Sequence, residues 1–395
     1  MRRRSVLTTL AVSLALAALG GCGLLFDFDY HAADTTSSGT GGHGGAGSST
    51  QSSSGAQGGG GQTGTGGQGG NGGCLDTTSD SKNCGKCGWD CLGGTCDKGE
   101  CQAVVVVQGT AGQDDFNHLT MDDTTLYWTS KGKILAVDKG AAPMSAPSLS
   151  TPDLGADAIA VDATNVYWSV FLAGSMTAVN RAPKANPTTL TPVAPAELQP
   201  ASLVLGANLY WSEYNTGGAI RTASTTATSG MDLVRPEDRV LSLTPVGPDL
   251  YWTYRGLDDA HGGVKRWIQG SVTEIAKDEH APSGLAVDAT DVYWVDYDGI
   301  VRKAPREPAT PLDTPTSLSP FEGTLFYAEI AVDNVDVYWT GIHTVWRVPK
   351  DGSASPVDFG GASWAAVPAM KMSGRVLYWT TGTDAKLMRK VKRAP

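Results

Sequence analysis

The chain has 395 residues, 41% of them hydrophobic, with 40 acidic against 30 basic residues and a formal net charge of −10 at pH 7. It is long enough to bury a large core. The acidic balance argues against nucleic acid as a partner, because affinity there rests on basic contacts to phosphate; net charge of this kind serves solubility.

Residues 1–21 have the form of an export signal. Arg2, Arg3 and Arg4 make a positive start, and residues 6–19 form an uncharged, mostly apolar run too short to span a membrane well. The run ends Leu19-Gly20-Gly21-Cys22, which resembles the lipobox of bacterial lipoproteins. That resemblance implies a diacylated Cys22, carrying palmitate-type chains, as the mature N-terminus. Acyl chains anchor a protein without a spanning helix; the alternative is an ordinary cleaved signal with an incidental cysteine. Removal of the signal leaves 27 basic against 40 acidic residues. The expected location is the bacterial cell envelope, the outer membrane ahead of the inner, facing the periplasm or the outside.

Residues 22–73 follow as a tether. From Thr35 to Gly73 there is no Asp, Glu, Lys or Arg, and the composition is mostly Gly, Ser, Thr and Gln. Such a segment lacks the apolar surface to offset its ordering entropy and is expected to be disordered, with a mean span of about 35 Å. His43 within it reads as a linker residue. The module at 74–102 carries Cys74, Cys84, Cys87, Cys91, Cys96 and Cys101. An even cysteine count in an exported, small and Gly-rich segment predicts three disulfides. A zinc site prompted by Cys84-Gly-Lys-Cys87 is the competing reading, but a second such pair is missing. Any of fifteen connectivities is open. The segment is similar to small Cys/Gly modules between tether and propeller in some bacterial surface lipoproteins.

Residues 103–395 are repetitive. Tyr-Trp occurs at 127–128, 167–168, 210–211, 251–252, 293–294, 338–339 and 378–379, at steps of 40, 43, 41, 42, 45 and 40. A period of about 40–45 residues with strand-like content predicts four-stranded propeller blades. The clearest repeats, at 158–170, 284–296 and 329–341, show an apolar run, an Asp (Asp162, Asp288, Asp333), then Val-Tyr-Trp. This reads as a hairpin: strand a near the axis, an Asp-stabilised turn, and strand b bearing Tyr-Trp. Neighbouring strand residues face opposite sides, so one ring should pack on the previous blade and the other on the next. The fold class is therefore all-β, a seven-bladed β-propeller, with six blades and an irregular repeat as the alternative. The last repeat ends after strand c, and the Val-rich segment 103–108 supplies the missing strand d, which would close the ring.

These repeats resemble the YWTD-type repeat of lipoprotein-receptor ectodomains and the TolB-like and NHL-like bacterial propellers. Ser or Thr follows six of the pairs, at Thr129, Ser169, Ser212, Thr253, Thr340 and Thr380; only Tyr293-Trp294-Val295-Asp296 has Asp in fourth place. That departure, and seven repeats where the receptor type has six, argue against close kinship. The resemblance implies binding of proteins, peptides or sugars on one face.

That face is formed by the b–c and d–a loops. The first set brings Glu213, Arg255, Asp258, Asp259, His261, Asp296 and Asp298, and the second Asp114, Asp115, Glu237, Asp238, Arg239, Asp278, Glu279 and His280. It should be acidic with a few His and Arg, and loop 254–263 is the longest of its class. His118 and Glu329 stand nine residues before their tyrosines, where other repeats have Ala, Ser or Gly. At a channel mouth they would hold a metal or move a proton, or be tolerated in a wet channel. Asp296-Tyr-Asp298-Gly299 raises Ca²⁺ as a cofactor, but it reads better as a hairpin turn. No sequence feature requires a cofactor, and no GxSxG, HExxH or P-loop is present. The favoured function is a lipid-anchored, monomeric binding or scaffold module with a protein or glycan ligand. A propeller enzyme of lactonase, lyase or hydrolase type and a structural envelope protein are the alternatives.

Overall fold

The computed structural model describes residues 22–23, 74, 76–170, 177–197, 200–312, 314–320, 328–360 and 367–394. Residues 1–21 and 24–73, on which the expected signal and tether with His43 fall, lie outside the described residues. The rest is all-β: seven four-stranded antiparallel blades and a small cysteine knob. Blades 1 to 6 each use four consecutive strands, over 116–150, 156–197, 200–237, 240–279, 285–317 and 330–358. Blade 7 takes strands a to c from Met370–Ser373, Val376–Thr381 and Lys386–Val391, and its strand d from Val104–Gln108. The closure register pairs Lys386 with Gln108, Leu387 with Val107 and Arg389 with Val104. The ring is thus sealed by main-chain hydrogen bonds between the two ends of the domain, which removes two open edges.

The Tyr-Trp pairs explain why the blades stack. In the layer between blades 1 and 2, Tyr127 packs with Trp168. The layers that follow join Tyr167 with Trp211, Tyr210 with Trp252, Tyr251 with Trp294, Tyr293 with Trp339 and Tyr338 with Trp379. Tyr378 with Trp128 completes the circle between blades 7 and 1. The tyrosine therefore always faces the next blade and the tryptophan the previous one, as strand alternation requires. Seven aromatic layers make seven blades.

In four blades the hydroxyl after the pair has its own task. Strand a of blades 1 to 4 carries a register shift, which strands a backbone N–H. Ser169, Ser212 and Thr253 accept that N–H, from Ala158, Ser202 and Ser242, at 3.1, 3.1 and 3.2 Å. Thr340 does the same for Glu329 at 2.9 Å. Blade 5 has Val295 instead, and Ser283 donates to its carbonyl.

The turn aspartates behave as a short acceptor should. Asp162 accepts the N–H groups of Thr164 and Asn165 at 2.7 and 2.6 Å and the Tyr167 hydroxyl at 2.6 Å. Asp122, Asp288 and Asp333 repeat the pattern with Tyr127, Tyr293 and Tyr338. Strand d of blade 2 begins only at Thr191, because Asn186 to Leu190 form turns held by the Pro183 and Asn186 carbonyls.

The six cysteines form three disulfides, Cys74–Cys87, Cys84–Cys96 and Cys91–Cys101. The knob is docked. Its Cys84, Cys91 and Cys101 share a core with Val106, Leu126, Val376 and Val391 of blades 7 and 1. Trp89 donates its indole N–H to the Lys392 carbonyl at 2.8 Å, and Arg389 donates to the Leu92 carbonyl. These contacts lie on the a–b and c–d side of the ring, opposite the predicted ligand face.

Candidate functional site

The b–c and d–a loops meet on one face, and their charged residues are mostly committed to one another. Outer strands of blades 2, 3 and 4 each end in a buried glutamate: Glu197, Glu237 and Glu279. Each faces a base on strand c of the next blade. Arg221 lies 3.4 Å from Glu197, Lys265 2.7 Å from Glu237, and Arg302 3.3 Å from Glu279. Glu197 and Glu279 also accept the indole N–H of Trp211 and Trp294, both at 3.0 Å. Burial raises the carboxyl pKa of both glutamates, and their indole and arginine partners do not fully offset it.

Glu213 and Asp296 belong to this buried set. Glu213 takes Arg235 at 2.8 Å and lies 3.7 Å from Arg221. Asp296 is fully buried. It accepts the N–H groups of Asp298 and Ile300, each at 3.0 Å, and Arg302 at 2.9 Å. Those bonds tie the Asp296–Gly299 hairpin, with Gly299 at φ +73°, and occupy the oxygens that a cation would need. Burial pushes Asp296 above the usual carboxylate range. The expected acidic face is therefore largely an inner rim of inter-blade ion pairs.

What remains exposed lies over blades 4 and 5. Loop 255–261 is braced from within: Arg255 binds Asp259 at 2.8 Å and the Tyr214 hydroxyl at 3.3 Å, and Arg239 binds Asp259 at 3.3 Å and the Gly256 carbonyl. A Cβ on Gly256 would lie 2.4 Å from the His261 carbonyl oxygen, so the tight turn requires glycine there. Asp258 accepts His261 Nδ1 at 2.6 Å, which raises the imidazole pKa. His280 pairs with Asp298 at 3.0 Å and packs on Tyr297. The exposed His261–Asp258 pair, the half-buried His280–Asp298 pair and Leu257, 75% exposed, thus project from neighbouring blades.

At the channel mouth, His118 Nε2 lies 3.1 Å from Asp157 of blade 2. Glu329 pairs with Lys371 at 3.7 Å, both side chains nearly fully buried. His118 and Glu329 thus have separate partners. Lys371 was missed from sequence; its signal was a lone base inside the apolar strand 370–373. Among the described residues, the grouping of three or more His, Cys, Asp or Glu spaced to hold a metal is Cys84, Cys91 and Cys101, whose sulfurs are all in disulfides. Cys22 and Gly23 run parallel to Ser242 and Leu243, beside the inner strands of blades 2 to 4.

A second set of functional side chains sits on the opposite face. Lys184, Lys350 and Lys392, each just past strand c, reach back to Asp122, Asp288 and Asp333 of the preceding blade. Arg306 does the same to Tyr251 and Asp249. The signal was present in Arg181-Ala-Pro-Lys184, Lys303-Ala-Pro-Arg306 and Arg347-Val-Pro-Lys350.

No protein-family model and no curated protein matches the chain. Solved structures match the fold. A catalytically inactive virginiamycin B lyase from Staphylococcus aureus, with quinupristin, has a TM-score of 0.57 at 13% identity, covering 73% of this chain and 99% of its own. YCF48 from Cyanidioschyzon merolae has a TM-score of 0.55 at 12% identity over 73% of this chain and 99% of its own. The WD40 propeller domain of Doa1 has a TM-score of 0.55 at 14% identity, over 73% of this chain and 96% of its own. These proteins differ widely in role, so the likeness is one of architecture.

Proposed function

We propose that the chain is a lipid-anchored extracytoplasmic binding module, with the b–c and d–a loops offered to a protein or glycan ligand. The observation that carries this is the position of the knob. It docks on the a–b and c–d side through Trp89, Leu92 and the blade 7 strands. The chain preceding Cys74 is thereby attached opposite the exposed loops over blades 4 and 5, and an anchor at Cys22 would turn those loops away from the membrane. Three disulfides fit an oxidising compartment. The pairing of Cys22 with Ser242 and insertion of its acyl chains in a bilayer are alternatives: one residue cannot do both. The Glu329–Lys371 ion pair weighs against an enzyme at the channel mouth, because Glu329 would have to give up Lys371 to bind a metal or move a proton.

The test is a thermal-shift screen of the full chain in detergent with chelator, divalent metals and a glycan panel, since a ligand that binds only the folded state raises its stability. A shift with a glycan that is lost in Asp258→Ala or His261→Ala supports the reading. A loss of stability with chelator that Ca²⁺ or Zn²⁺ restores, and that His118→Ala abolishes, replaces it with the enzyme reading. Anchoring is tested separately: Cys22→Ala should leave the membrane fraction, and its retention there would reject lipidation.

A further inference from the structure

A cleft of about 890 Å³ opens where the knob meets the a–b side of blades 6 and 7. Its volume lies within the range of about 300–1,000 Å³ found for built ligand sites. It is independent of the loop face discussed above, and nothing in the repeat pattern demands it: it exists because Trp89 of the knob stands over the turns of two blades.

The charges lining the cleft do not cancel. Asp288 is bound by Lys350, Asp333 by Lys392 at 2.7 Å, and Asp336 lies 3.7 Å from Arg347. All three carboxylates are thereby matched by bases. Two further cations line the same wall, Arg375 and Arg393. Among the described residues neither has a carboxylate within ion-pair distance. Arg375 lies over the Trp89 ring, 4.8 Å from its centroid, which holds the guanidinium plane in place and lowers the entropy lost on binding. Asp90 of the knob, whose charge Arg375 also feels, is itself bonded to Lys82 at 2.9 Å. Arg393 is exposed.

The remaining wall is apolar and open. Val335 is 61% and Val357 45% exposed, and the flexible Met372 lines the floor. Unspent guanidinium groups beside an indole and solvent-facing valines are the pattern of a peptide-recognition site, where Trp and Arg carry most of the energy. We propose that this cleft binds an acidic peptide segment of a partner protein, its carboxylates on Arg375 and Arg393 and its apolar side chains on Val335, Val357 and Met372. On the reading above, the same partner would lie on the anchored side of the domain.

The experiment uses the full chain in detergent and two labelled ten-residue peptides, one alternating Glu and Leu, the other Lys and Leu, followed by fluorescence anisotropy. The Glu/Leu peptide should bind saturably and the Lys/Leu peptide should not. Arg393→Glu should weaken binding about tenfold or more, the weight of one charged contact. Arg393→Lys should restore part of it, and Asp258→Ala on the opposite face should leave it unchanged. Because Arg393 is exposed, its variants are expected to fold, which circular dichroism checks. Equal binding of both peptides, an unchanged affinity in Arg393→Glu, or displacement of the peptide by vesicles of anionic lipid would overturn the proposal.

Discussion

The bolts between blades allow a prediction with its own control inside the molecule. Asp288 and Asp162 occupy equivalent turns, and each accepts two backbone N–H groups and a tyrosine hydroxyl. Only Asp288 also receives a lysine from the next blade, Lys350, while Ser224 stands at the matching place beyond blade 3 strand c. Replacing either aspartate by alanine removes a turn cap, worth about 1 kcal/mol, and leaves a tyrosine hydroxyl short of its acceptor, a further cost of about 1–2 kcal/mol. Asp288→Ala additionally strands an ammonium whose side chain is 21% exposed. A charged hydrogen bond is worth about 1.5–3 kcal/mol, so with this partial exposure about 2 kcal/mol is expected. Asp288→Ala should therefore cost about 4–5 kcal/mol and Asp162→Ala about 2–3. In a domain of this size each kcal/mol moves the Tm by about 2 °C. Guanidinium unfolding followed by tryptophan fluorescence reads the difference, because every Tyr-Trp tryptophan is buried. A double-mutant cycle of Asp288→Ala with Lys350→Met should return the same 2 kcal/mol as coupling, to within a factor of about two. Equal losses at the two aspartates, or no coupling in the cycle, would refute the idea that the lysine bolts one blade to the next.

Three other perturbations follow from the same geometry. Burial raises the pKa of Asp122, but Lys184 and the turn N–H groups outweigh it and bring the carboxyl down to about 2; Lys350 and Lys392 with the turn N–H groups likewise lower Asp288 and Asp333 against burial, and at Asp162 the Tyr167 hydroxyl and the turn N–H groups do so without a lysine. Their contribution is complete above the ordinary value of 3.8 and is lost as pH falls through the folded pKa. Glu197, Glu279 and Asp296 are raised by burial, so their cost is relieved as pH falls toward their ordinary values. Denaturant midpoints should therefore peak at mildly acidic pH and decline steeply below about pH 4; a steady fall from pH 7 downward would contradict both assignments. Gly284→Ala should be among the costlier small substitutions, since a Cβ there would lie 2.3 Å from the Ala328 carbonyl oxygen on the neighbouring inner strand. A drop of about 2–3 kcal/mol is expected, the cost of overpacking, and an unchanged Tm would show that blades 5 and 6 yield easily. Deletion of 103–108 should severely lower the melting temperature, because it opens the closure register and removes the buried Val106 and Val107; an unchanged value would reject closure by that strand.

By itself the sequence determined the architecture. The Tyr-Trp spacing set the blade count, and the alternation of strands dictated that tyrosine and tryptophan face opposite neighbours, because both follow from local periodicity. The Asp turns were legible for the same reason; the closure strand was legible because the last repeat ends one strand short while the Val-rich segment before the first repeat has no partner of its own, and the three disulfides because the cysteine count is even. Only the tertiary structure decided which cysteines join, where the knob docks, and how the charges of the loop face are spent. Glu213 and Asp296 read as exposed ligands in sequence, yet each is buried against an arginine of its own blade, Arg235 of strand d for Glu213 and Arg302 of strand c for Asp296. Lys184, Lys350 and Lys392 stand just past strand c, and each reaches an aspartate some sixty residues away in the chain. The physical reason is that a propeller brings equivalent positions of successive blades together across forty-residue intervals. Burial and charge pairing are set by that stacking, which no local pattern contains.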